Sequence, residues 1–306
     1  MWCADLRRFY SELALAILLA QTRPRPSSTP SPVAEQARVR CCANFQAVKQ
    51  TGARKRSPMR TNTLRWFEAY PVRAVVAIFA LDMLLAFGLQ WGFRALAPEW
   101  PGQTVAFAAL VILTALTLAL VAWLKLWREA GYTAPSAWCA LPLLIFPALV
   151  TIVPPLVQGV NQEAMANIAM LSLAYVLVGL HEETLYRGVM IHLLRHFSPM
   201  RITLLTAVLF GVSHMTNLIV RSNPALVLAQ GVGAFCFGVA YAALRLRTNA
   251  IWFLIALHAI HDLLLQLTNL PRIPLDVAQV TILLFYGLYL VRKSQTPAPS
   301  FHQSAA

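Results

Sequence analysis

Charge is what this chain has least of. Only 12% of its 306 residues are Asp, Glu, Lys or Arg, against 58% hydrophobic residues, and mean hydropathy is positive. A soluble domain carries about a quarter charged residues, so the composition excludes one and specifies an integral membrane protein. Acids are scarcest, with eight beyond Arg73: Asp82, Glu99, Glu129, Glu163, Glu182, Glu183, Asp262 and Asp276. Cysteine is also sparse. Cys3, Cys41, Cys42, Cys139 and Cys236 form no CxxC pair, which argues against a zinc ribbon and against a disulfide framework. Cys41 and Cys42 read as free thiols of a tail, with acylation as the alternative. The zincin motif HExxH is missing, because His181-Glu182-Glu183-Thr184-Leu185 ends in Leu. Beyond Arg73 no repeat and no soluble insertion interrupts the chain, so any site must be built by the helices.

Apolar runs of roughly spanning length occupy about 74–93, 104–124, 137–160, 164–180, 202–220, 225–244, 249–267 and 277–291. They predict an all-α, polytopic membrane helix bundle of about eight transmembrane helices enclosing an intramembrane polar site. The third run holds Pro142, Pro147, Pro154 and Pro155 and is expected to kink. Three parts follow: a basic extension over 1–73, a bundle over 74–292 with its core at about 164–268, and a short tail over 293–306.

Basic residues set the expected orientation. Thirteen Lys and Arg against four acids lie at or before Arg73, carrying nine of the net +13 charges. That excess favours a cytoplasmic amino terminus and contact with anionic lipid, and argues against a nucleic-acid partner. With alternation, the inner loops and carboxy terminus carry Lys125, Arg128, Arg187, Arg195, Arg201, Arg245, Arg247, Arg292 and Lys293, and the outer loops only Arg94, Arg221 and Arg272. Both termini are therefore expected inside an inner, plasma-type membrane. Residues 21–60 lack an apolar period and read as disordered. The weak signal-like run from Leu13 to Ala20 is interrupted by Ser11 and Glu12, and Met59-Arg60 offers an alternative start.

Asp82, Glu182, Glu183 and Asp262 fall in or at the edge of apolar spans, where one charge costs about 2.5–3.5 kcal/mol on the lenient insertion scale. Glu183 and Arg187 are one helical turn apart and can pair. Glu182 points about 100° away and lacks that cation, which suits a general base that takes a proton from water. The alternative is a helix that ends at the headgroups, with Arg187 snorkelling. Residues Tyr186 to Phe197 read as an interfacial helix. Phe210 and His214 share a face in the fifth run, as do His258 and Asp262 in the seventh. His261 faces inward or serves helix packing. Asp82 is either a contact of a buried His or Arg or a solvated kink.

Together these residues describe one polar pocket able to activate water by either of two routes. A divalent metal such as zinc, held by Glu182, His214 and His258, would lower the pKa of water. Otherwise Glu182 and His214 act as base while His258 and Asp262 serve the oxyanion, with Asp262 protonated or orienting His258.

Glu182-Glu183-x-x-x-Arg187, then Phe210-x-x-x-His214, then His258-x-x-x-Asp262 resemble the CAAX protease and bacteriocin-processing family, which includes the type II CAAX prenyl endopeptidases. The resemblance covers roughly residues 164–268. It implies hydrolysis of a peptide bond in a membrane-associated or lipid-anchored protein, with Glu182 and His214 activating water, His258 and residue 262 stabilising the oxyanion, and Glu183 and Arg187 in support. Asp262 departs from the usual Asn and lacks its amide donor. Two other readings make different demands. A proton-coupled transporter calls for an inverted repeat, and a silent immunity or scaffold protein would keep its phenotype in Glu182→Gln.

Overall fold

The computed structural model describes residues 62–134, 138–219, 223–249 and 251–295. The expected disordered stretch, Cys3, Cys41, Cys42 and Met59 lie outside them, as do Arg221 and the tail from 296. Helices begin earlier than hydropathy suggests. α1 (Asn62–Ala69) and α2 (Pro71–Leu96) put residues 62–69 and 71–73 of the expected extension into helix. Pro71 starts α2 where a missing N–H costs nothing. α1 is too polar to register as a span, but Glu68 pairs with Arg195 at 3.0 Å and Phe67 packs on the core.

The remaining helices are α3 (Gly102–Trp123), α4 (Ile145–Gln158), α5 (Ile168–Glu182), α6 (Pro199–Met215), α7 (Pro224–Thr248), α8 (Ile251–Leu267) and α9 (Arg272–Gln295). A π-helical stretch, Glu183–Met190, continues α5 to Leu193, and a 3-10 stretch, Trp138–Leu144, leads into α4. Among the described residues all eight apolar runs are therefore largely helical. Among the described residues six helices are long and apolar enough to cross a membrane. α6 and α8 have 17 residues each, about 25 Å at 1.5 Å per residue against about 30 Å of hydrocarbon. The chain is a multi-pass membrane protein whose two short apolar helices carry His214, His258 and Asp262.

α7 is the centre of the core, with Val239 to Leu244 almost fully buried. It packs between α6 and α9, α5 packs between α3 and α8, α2 lies on α3, and α4 lies on α8. Leu84, Val157 and Phe285 point outward, 67–70% exposed, as side chains that lipid would cover do.

The prolines of the third run have a specific solution. Pro154 and Pro155 cannot donate to the carbonyls of Val150 and Thr151, four residues earlier. The Nε2 amide of buried Gln279, on α9, donates to both, at 2.8 and 3.2 Å. A neighbouring helix thus repairs the backbone where water is excluded.

Candidate active site

The site begins where α5 changes winding. From Glu183 to Met190 the helix is π-type, a rare form that tends to occur at functional positions, and every residue of the stretch is buried. The expected interfacial helix over Tyr186–Phe197 is therefore corrected. Tyr186 to Leu194 lie within the bundle, with only His192 half-buried, and exposure starts at Arg195 and His196. Arg187 and His192 suggested a headgroup face, but α3, α6, α7 and α8 close around the π stretch. The Glu pair consequently sits near the middle of the span Ile168–Leu193, and the helix does not end there. Tyr132, from the loop after α3, hydrogen-bonds Thr184 and holds this stretch from outside.

Glu183 is fully buried and paired twice. Its Oε1 lies 3.2 Å from Nη1 of Arg187 and accepts a hydrogen bond of 2.7 Å from Nδ1 of His258. Arg187, also buried, lies 4.2 Å from the Phe210 ring centroid and 5.9 Å from those of Tyr186 and Tyr241. An ion pair and an aromatic cage together offset the desolvation of this guanidinium.

His258 is wedged between the two glutamates. Its Nε2 lies 3.5 Å from Oε2 of Glu182 and 3.6 Å from Oδ2 of Asp262. Glu182, which the sequence left without a cation, thus faces the imidazole whose far nitrogen its neighbour holds. Gly179 makes this approach possible, since a Cβ there would come within 2.8 Å of the Ile255 carbonyl oxygen on α8. Phe237 and Tyr241 of α7 back the ring, with centroids 4.9 and 6.1 Å from that of His258.

His214 completes the set from α6. Its Nδ1 is 2.9 Å from the Phe210 carbonyl oxygen, which can only accept, so Nδ1 is the donor and Nε2 is left free of that bond. Phe210 packs edge-on against both His214 and His258, with centroids 4.8 and 6.3 Å away. Glu182 and Asp262 are within Coulombic reach of His214. The Glu182 and Asp262 side chains are 21% and 26% exposed, whereas those of Glu183 and Arg187 are sealed. The side of Glu182, His214 and Asp262 is therefore the less enclosed one.

These donors do not fit a metal as arranged. Nδ1 of His258 is committed to Glu183, its Nε2 faces two carboxylates, and among the described residues no three His, Cys, Asp or Glu side chains form a metal-holding group.

Two further imidazole–carboxylate contacts were only partly visible in the sequence. Asp82 of α2 is a buried contact of a histidine. Its Oδ1 lies 3.4 Å from Nε2 of His181, whose Nδ1 is 2.9 Å from Oγ1 of Thr117 on α3. His261 faces inward, with Nδ1 3.4 Å from Oδ1 of Asp262 and Nε2 3.8 Å from Oδ1 of Asp276. Asp276 lies outside the apolar runs, and its place in the first turns of α9, facing α8, brings it to His261.

The fold and site define a class first: a polytopic helical membrane protein with carboxylates and imidazoles brought together inside the bundle. Residues 164–264 match the family model of the Rce1-like type II CAAX prenyl endopeptidases. Comparison with curated proteins and with solved structures finds no match.

Proposed function

We propose that the protein is a glutamate-dependent intramembrane endopeptidase that cleaves a membrane-associated or lipid-anchored protein or peptide. The observation that carries this reading is the His258 wedge, an imidazole anchored at Nδ1 by sealed Glu183 and directed at Nε2 toward the accessible carboxylate of Glu182. Glu182 takes a proton from water as the oxygen attacks the scissile carbonyl. Nε2 of His214 accepts a hydrogen bond from that water and orients it. The Nε2–H of His258 donates to the developing oxyanion, and Asp262 holds the ring in that orientation. Collapse breaks the C–N bond as Glu182 passes its proton to the leaving nitrogen, and the other product is a carboxylic acid. Arg187 pairs with Glu183 and holds its carboxylate where it anchors His258.

The decisive experiment gives a membrane-peptide library to the reconstituted wild type, Glu182→Gln and His214→Ala, each with and without a chelator, and reads products by mass spectrometry. Products from the wild type alone that persist with chelator support the reading, and their ends define the substrate. Products lost on chelation would replace it with the metal route. Equal products, or none, from all three proteins beside an active related protease would favour a scaffold or immunity protein.

The two ends and the less enclosed side of the site are assigned to the cytoplasmic side on charge bias. A cysteine placed at exposed position 196 should react with an impermeant label only from that side.

A further inference from the structure

Glu182, Glu183 and Asp262 surround His258, and one ring with two nitrogens cannot balance three carboxylates. Glu183 has Arg187 as a second partner. Asp262 lies beyond that ion pair, where a second cation has to come from another side chain, since a buried carboxylate left alone is costly. While its Oδ2 faces His258, its Oδ1 faces Nδ1 of His261 at 3.4 Å. His261 is itself only 5% exposed, and its Nε2 points to Oδ1 of Asp276 on α9 at 3.8 Å. The Phe237 ring of α7, with centroid 5.2 Å away, limits its rotation. Carboxylate and imidazole thus alternate through Glu183, His258, Asp262, His261 and Asp276. The charged groups on His261 are Asp262 from its own helix and Asp276 from α9, and His214 of α6 is within Coulombic reach of both carboxylates.

We propose that His261 is the counter-ion that lets a carboxylate occupy position 262, and that Asp276 orients His261, making both positioning residues of the hydrolytic site. The assignment rests on the protease reading above. It accounts for an acid at position 262: a buried carboxylate there needs a cation, and the adjacent helix position supplies one.

The test uses the full chain in liposomes with the membrane-peptide library. His261→Gln should slow product formation by about tenfold, equivalent to about 1.4 kcal/mol of transition-state stabilisation. The double variant His261→Gln/Asp262→Asn should recover most of that loss, because the carboxylate needing a counter-ion is gone while the Asn side-chain oxygen can still accept from the His258 ring and orient it. A histidine that only fills space would not be rescued by removing a charge beside it. Asp276→Asn, at a half-exposed edge, should lose activity in the same direction with the same rescue, and it replaces His261→Gln should that variant not fold. Singles as active as wild type, or doubles no better than singles, overturn the assignment. Glu182→Gln separates the two levels: full activity there removes the protease reading, whereas an inactive Glu182→Gln beside an unrescued His261→Gln removes only the counter-ion role.

Discussion

Two imidazole–carboxylate pairs stand back to back on α5, one built on His181 and the other around Glu182 and Glu183, and they differ in access. The His181–Asp82 pair is closed, with side chains 8% and 10% exposed, and its second nitrogen is taken by Thr117. The His258 group also has one sealed partner in Glu183, but its other nitrogen faces Glu182 and Asp262, both open to about a quarter of their surface. The same two functional groups thus tie three helices together in one place and can meet water and a peptide in the other. Chemical type alone does not separate the roles.

The sharpest way to break that contrast is to neutralise one acid in each pair. Glu182→Gln should lower the rate of product formation by about 10²- to 10⁴-fold, the range for a lost general base, with the melting temperature nearly unchanged. Asp82→Asn should leave the rate per folded molecule within a few-fold. If Asp82→Asn were as inactive as Glu182→Gln while still folding, the closed pair would belong to the chemistry and the contrast would fail.

The closed pair should show its value in stability. Replacing His181 with Phe leaves the Asp82 carboxyl and the Thr117 hydroxyl without a partner in the interior, at about 1–3 kcal/mol for each buried polar group left unsatisfied. Thermal unfolding in detergent should register that loss, and the double variant Asp82→Asn/His181→Phe should recover part of it. A single variant as stable as wild type would show that the pair is idle.

The i, i+4 pairs Glu183–Arg187, Phe210–His214 and His258–Asp262 were legible in the sequence, since helical periodicity alone puts them on common faces. The wedge of His258 between two consecutive glutamates was not, because it depends on how close α5 and α8 come. That distance is set at Gly179, where any Cβ would press on the Ile255 carbonyl. Gly179→Ala should therefore displace His258 from Glu182 and cost about 10²-fold in rate, the scale of an ångström-sized misplacement. The closed pair would move less, because His181 is held by Asp82 and Thr117 from α2 and α3. A loss of activity per folded molecule far larger than the drop in melting temperature that the clash with the Ile255 carbonyl causes is the expected signature, and full activity in the molecules that fold would show that Gly179 serves the bundle as a whole. The π stretch was hidden for a related reason, as polar residues that suggested a water-facing helix are buried by four neighbours.

Charge sharpens the comparison at its small end. Gln279 is as sealed as His181 and also binds distant helices, but it is neutral, donating to carbonyls that Pro154 and Pro155 leave free. The sequence showed the prolines and the expected break but not the donor, since nothing local links residues 154 and 279. Gln279→Leu should cost about 1–3 kcal/mol, the penalty for leaving buried acceptors unsatisfied, less than breaking the His181–Asp82 pair. The same thermal unfolding series measures both, and products should be unchanged because neither group lines the site. A larger loss for Gln279→Leu than for His181→Phe would mean that backbone repair, more than the buried His181–Asp82 contact, holds this bundle together.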